Sequence, residues 1–214
     1  IHVVGSTGLD AIHKTNFLRR KEFFDSIDFI PREKNILLTF HPVTLGVRSS
    51  GEDFLELLEA LDKLGDDYGL IFTRPNADTE GGILNEMLNS FVDSHSNAKA
   101  YNVLGENYLS ALKHVDAVVG NSSSGIYEVP SFGIATVNIG DRQKGRLQAA
   151  SMINCPAEKE AIMKAIQRAL REDFSETMNP YGDGRASKRI VQVLASIQNY
   201  KKLLQKHFFM TGVA

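Results

Sequence analysis

The sequence predicts an α/β protein: a parallel β-sheet with helices on both faces. Three observations carry this. Apolar runs of strand length alternate with stretches of helical spacing along most of the chain. Strands separated by helices pair as parallel neighbours through crossovers, which cover both faces of the sheet. The polar motifs fall just after the strand-like runs, where ligands of such sheets bind.

The elements follow in order. Residues 1–5 (Ile-His-Val-Val-Gly) read as the end of a strand already under way, so the sequence is expected to continue on the N-terminal side. Gly5-Ser6-Thr7-Gly8 is a faint echo of a dinucleotide fingerprint and reads as linker. Residues 35–40 (NILLTF) form an apolar strand. Residues 54–64 carry Phe54, Leu57, Leu58, Leu61 and Leu64 at helical spacing; Ser49 or Ser50 caps that helix, with Glu52 and Asp53 in its first turn. A strand at 68–73 precedes a helix at 79–91 capped by Asp78 or Thr79. Then come a strand at 98–104, a helix at 108–114, a strand at 117–120, a short helix at 124–131 and a strand at 134–139. Residues 151–154 form a last short strand, and a helix spans 157–171 after Pro156. A turn at 179–184 leads to one long helix over 187–208, with Ile190, Val191, Val193, Leu194, Ile197 and Leu203 as its apolar stripe and Lys201, Lys202 and Lys206 near its end.

Composition narrows the function classes. Charge is nearly balanced at a formal net −2, and no basic block or basic–aromatic stripe appears, so a general nucleic-acid partner is not expected. No apolar run reaches the ~18 residues of a membrane span. The single Cys155 excludes an internal disulfide and a multi-cysteine metal site, and reads as a small buried residue. The cytoplasm is the expected compartment.

The most telling stretch is Val118 to Glu128. A strand ends at Gly120, the hydroxyl run Asn121-Ser122-Ser123-Ser124 follows, and a helix starts near Gly125. Backbone N–H groups, hydroxyls and a helix start then converge where a phosphate would be stabilised. Glu128 lies a turn further on, placed to accept from sugar hydroxyls. A rich N-cap is the plainer alternative. The stretch is neither a Walker loop nor a Gly-x-Gly-x-x-Gly fingerprint.

Three further motifs end strands. His41-Pro42 either presents a histidine to phosphate or a proton in transfer, or is a strand-end histidine bonded to a backbone carbonyl. Within Arg74-Pro75-Asn76-Ala77-Asp78, Asn76 suits a sugar or base edge, and a plain turn is the alternative. Gly140-Asp141-Arg142-Gln143-Lys144-Gly145-Arg146 is either an anion-binding loop, since arginine forks suit phosphate, or an exposed basic loop. No paired carboxylates, nucleophile–base pair or metal spacing stands out. The chain is better equipped to bind than to catalyse.

Taken together, His41-Pro42-Val43-Thr44, Pro75-Asn76-Ala77-Asp78, Gly120 to Gly125, Gly140 to Arg146, and Tyr181-Gly182-Asp183-Gly184 resemble the hydrolysing UDP-N-acetylglucosamine 2-epimerases of sialic and related nonulosonic acid biosynthesis. The resemblance covers nearly the whole chain. It implies a Rossmann-like domain, the C-terminal half of a glycosyltransferase-B-like fold: a linker and lead-in helix at 1–34, the UDP-binding domain at 35–184, and a crossing helix at 185–214 that returns to the other half.

The resemblance also implies roles. His41 faces the pyrophosphate and reactive centre. Ser122 and Ser123, with Asn121, Ser124, Gly125 and nearby N–H groups, hold the diphosphate. Glu128 takes the ribose hydroxyls, Arg142 a phosphate, Asn76 the sugar-nucleotide pocket, and the backbone near Val103 the uracil. The ligand is UDP or a UDP-sugar, with no cofactor and no metal, and the parent is a homodimer or homotetramer. The acid–base carboxylates belong to the other half, so the 214-residue chain alone is expected to be inactive. Non-hydrolysing relatives carry a His-Arg-Arg-Glu-type segment where this chain has His41-Pro42-Val43-Thr44, which favours the hydrolysing branch. Two other readings stay open: a glycosyltransferase donor domain, although its Glu-x7-Glu pattern fails because Thr136 stands eight residues after Glu128, and a non-catalytic nucleotide-binding module.

Overall fold

The computed structural model describes residues 1–43, 48–75 and 81–204. Among them six strands, β1 (Lys34–Thr39), β2 (Tyr68–Thr73), β3 (Ala98–Tyr101), β4 (Ala117–Gly120), β5 (Ala135–Ile139) and β6 (Met152–Cys155), form one sheet. Its order is β3-β2-β1-β4-β5-β6, and every pairing is parallel. The helices are α1 (Asp10–Lys14), α2 (Arg20–Ser26), α3 (Ser50–Asp62), α4 (Gly81–Ser94), α5 (Tyr108–His114), α6 (Ser124–Tyr127), α7 (Lys159–Arg171), α8 (Ala186–Ala195) and α9 (Tyr200–Leu204). The strand order reverses between β1 and β4, and such a switch point opens a crevice beyond the carboxyl ends of those two strands.

The central strands are buried on both faces, which is why they read as unbroken apolar runs. Side chains alternate across the sheet. Ile36, Leu38, Leu70, Phe72, Val119 and Val137 pack with Phe54, Leu57 and Leu61 of α3 and with α4 and α7. On the opposite face Leu37, Ile71 and Val118 pack with Phe23 and Phe24 of α2 and with Ala111 and Leu112 of α5. Ser49 caps α3, accepting from the Glu52 N–H while Glu52 reaches back to the Ser49 N–H.

Several expectations shift. Residues 1–6 have no regular structure rather than a strand end, and among the described residues no strand lies beside them to supply a ladder. The strand expected over 98–104 stops at Tyr101, and the chain turns through Gly105–Asn107, with Gly105 at φ 53°. The helix expected over 157–171 starts at Lys159. The long final helix is interrupted. It ends at Ala195, residues 196–199 are not helical, and a second segment begins at Tyr200. There the Ser196 hydroxyl bonds back to the Val193 carbonyl at 2.7 Å and the Tyr200 hydroxyl takes the Leu194 carbonyl at 2.6 Å. These side chains satisfy carbonyls that a continuing helix would have used. Residues 205–208 of that expected helix, and the caps at Asp78 or Thr79, lie outside the described residues.

Candidate functional site

The site is built at the switch point. His41 follows β1, and Asn121 follows β4, its partner strand. Asn121 is 1% exposed, and both halves of its amide are used. Its Oδ1 accepts from the His41 N–H at 2.7 Å, and its Nδ2 donates to the His41 carbonyl at 2.8 Å. This reciprocal pair continues the β1–β4 ladder by side chain where the strands part. The Asn121 carbonyl then accepts from Arg142 Nη1 at 3.0 Å and from Gln143 Nε2 at 2.7 Å, which ties the loop after β5 to the same point.

The close approach of β1 and β4 needs Gly120. Its φ is 138°, and a Cβ there would lie 1.9 Å from the Thr39 carbonyl oxygen. Gly125 serves a different contact. A Cβ on it would lie 2.5 Å from Thr136 Cγ2, and the Thr136 hydroxyl donates to the Gly125 carbonyl at 3.1 Å, so α6 sits tight on β5.

Between these glycines the helix begins at Ser124, as the expected 124–131 helix does, but its α-helical part ends at Tyr127. Ser123 makes no side-chain cap bond, whereas Ser122 Oγ accepts from the Ser124 N–H at 3.3 Å. The N–H groups of Ser122 and Ser123 donate to no described residue. The Ser124 hydroxyl is engaged by the Tyr108 hydroxyl. Glu128, half-buried one turn later, has its pKa raised by burial, a rise that the Ser124 hydroxyl opposes. Gly8, in the short 3-10 helix Thr7–Leu9, approaches this carboxylate: a Cβ on it would lie 3.8 Å from Glu128 Oε1.

His41, Asn121 and Arg142 are therefore joined by direct bonds, while Ser122, Ser123, Ser124, Gly125 and Glu128 form the adjoining loop and turn. Asn121 and Arg142 also line a cleft of about 510 Å³ with Phe40, Val43, Ile139 and Pro156; the serines and Glu128 do not line it. Val103 is 77% exposed in the loop that carries the chain from β3 to α5. Asn76 lies outside the described residues.

Sequence reading missed two residues. Gln143 is 1% exposed and grips the Asn121 carbonyl, yet sits in a loop where the cations drew attention. Tyr108 gave no signal, since nothing local distinguishes it from a core aromatic. Among the described residues no three His, Cys, Asp or Glu side chains gather as a metal site, and no helix is long and apolar enough to cross a membrane.

An all-parallel six-stranded sheet with helices on both faces and a switch point between β1 and β4 defines a protein of the Rossmann-like α/β class. Residues 1–195 match the model of the UDP-N-acetylglucosamine 2-epimerase family, and the chain belongs to that family. It is 34% identical over 181 residues to polysialic acid biosynthesis protein P7 of Escherichia coli, covering 83% of this chain and 46% of that protein. It is 34% identical over 209 residues to a hydrolysing GDP/UDP-N,N'-diacetylbacillosamine 2-epimerase of Campylobacter jejuni, covering 96% and 54%. The chain thus spans about half the length of these relatives. Its fold matches the Methanocaldococcus jannaschii UDP-GlcNAc 2-epimerase, solved in complex with UDP-GlcNAc and UDP, with a TM-score of 0.70 at 21% identity over 91% of this chain and 54% of that one. The sheet is that of one half of a glycosyltransferase-B-like fold.

Proposed function

We propose that this chain is the UDP-binding half of a hydrolysing UDP-N-acetylglucosamine 2-epimerase, which makes N-acetylmannosamine and UDP. The observation that carries this reading is the reciprocal His41–Asn121 pair at the switch point, with Arg142 held on the same residue. In this reading Arg142 and the Ser122 and Ser123 N–H groups take the diphosphate. Glu128 takes the ribose hydroxyls, Asn76 lines the sugar-nucleotide pocket, and the backbone near Val103 meets the uracil. His41 faces the pyrophosphate. The reaction is anti elimination: the C2 proton and the bond from C1 to UDP are lost together, giving 2-acetamidoglucal, and water then adds across the double bond. The carboxylates for those proton transfers belong to the other half, so this chain binds nucleotide but does not turn over. Binding needs no metal. The hydrolysing relative named above supports the hydrolysing branch and makes a diacetamido sugar nucleotide the second substrate to try.

Calorimetric titration of UDP, with UMP and ADP as controls, tests this. UDP is expected to bind best, and Arg142→Ala or the double Ser122→Ala/Ser123→Ala change is expected to weaken it by about 1–3 kcal/mol, the range for hydrogen bonds to charged groups. A folded chain that binds UDP no better than ADP would sink the reading, and epimerase turnover by this chain alone would refute its proposed inactivity.

A further inference from the structure

We infer, resting on the UDP-binding reading of the site, that Tyr108 is a positioning residue: its hydroxyl orients Ser124, and Ser124 sets the Glu128 carboxylate to receive the ribose hydroxyls. Tyr108 opens α5 within the crossover from β3 to β4, 16 residues before Ser124, and donates to Ser124 Oγ at 2.5 Å. Its ring packs against the core on the α2 and α5 face, so ring placement does not depend on the hydroxyl.

Ser124 and Glu128 stand one turn apart. The Glu128 N–H donates to the Ser124 carbonyl at 2.9 Å, which puts both side chains on one face. A serine hydroxyl has one proton to give. When its oxygen receives the Tyr108 O–H, that proton remains for the carboxylate, and the chain of donors runs Tyr108 to Ser124 to Glu128. Burial pushes the Tyr108 hydroxyl up to about 12, so it stays a donor at neutral pH. Burial likewise works against the charged form of Glu128, and the Ser124 hydroxyl counters it. A carboxylate offers about four lone-pair directions, so one serine donor leaves room for both hydroxyls of a vicinal diol. On this assignment the Ser124 hydroxyl serves the ribose through Glu128 and not the phosphates.

The test compares UDP with 2′-deoxy-UDP by calorimetry on the native chain, Tyr108→Phe and Ser124→Ala. The native chain is expected to prefer UDP by about tenfold, the worth of one hydroxyl donated to a carboxylate. Tyr108→Phe, which keeps the ring, is expected to weaken UDP about fivefold, the worth of one neutral hydrogen bond, and to leave 2′-deoxy-UDP nearly unchanged. Adding Ser124→Ala to Tyr108→Phe is expected to cost less than the two single losses combined, because both act through one carboxylate. If the native chain discriminates the two nucleotides but Tyr108→Phe weakens both equally or neither, the proposal is overturned while the UDP reading stands. If the native chain binds UDP and does not discriminate, Glu128 does not read the ribose and the proposal falls. If it binds no UDP at all, the reading beneath falls and takes the proposal with it.

Discussion

Asn121 concentrates more of this site than any other side chain. Its amide closes the β1–β4 seam, and its carbonyl anchors Arg142 and Gln143. Asn121→Ala removes the side chain that pairs both backbone groups of the half-buried His41. We expect a loss of about 1–3 kcal/mol in chemical denaturation, together with loss of UDP binding. Gly120→Ala is expected to cost about 3 kcal/mol or more, since its Cβ would lie inside the Thr39 carbonyl and φ is positive. At this scale legibility was uneven. Asn121, Ser122 and Arg142 stood out because small polar and cationic residues after apolar strands are unusual. Tyr108 and Gln143 did not, because their importance lies in partners 16 and 22 residues away.

The elements show why local pattern reads some boundaries and not others. The segments Tyr68–Thr73, Tyr108–His114 and Ala117–Gly120 begin and end where the apolar spacing says, because their own residues decide them. Helix α8 does so only at its start. Its first-turn N–H groups at Ala186 and Ser187 are taken at 2.9 and 2.7 Å by Asp10, a buried carboxylate from α1. The apolar stripe placed the start of this helix, whereas the partner that caps it lies far away in sequence and could not be read. The same corner holds Asp183, gripped by both terminal nitrogens of Arg189 at 2.7 and 2.8 Å. The Ser187 hydrogen bonds hold Asp10 below the usual carboxylate range, and Arg189 holds Asp183 down at about 2. Carboxyls whose folded pKa is depressed stabilise the fold above the unfolded value, here about 4. That stabilisation is lost as pH falls from about 4 through the folded values, about 2 for Asp183. Acid titration followed by circular dichroism should therefore show the α1–α8 corner loosening between about pH 4 and 2. Asp10→Ala should bring the same loosening at neutral pH and lower the thermal midpoint.

At the level of the whole molecule, the alternation of strand and helix was enough to read the parallel sheet, yet the strand order was not legible. Nothing in an apolar run says whether β4 pairs with β1 or β3; the choice depends on tertiary packing. Leu37 shows what that packing is worth. It is fully buried in the central strand against α2 and α5, and Leu37→Ala is expected to cost about 2–5 kcal/mol in urea denaturation. The order also divides the sheet into two sequential blocks, β1 to β3 and β4 to β6. They meet through four register pairs, Ile36 with Ala117 to Thr39 with Gly120, and through α3 packed on α7, where Glu56 accepts from the Lys159 N–H and Glu59 pairs with its side chain. Partial unfolding that parts the blocks would dismantle the crevice while each block kept its own ladders. A ligand lodged across that seam holds the blocks together as a crosslink would. In hydrogen–deuterium exchange, UDP should therefore slow the amides of 36–39 and 117–120 more than those of β3 or β6, and occupancy would be read in how cooperatively the protein opens.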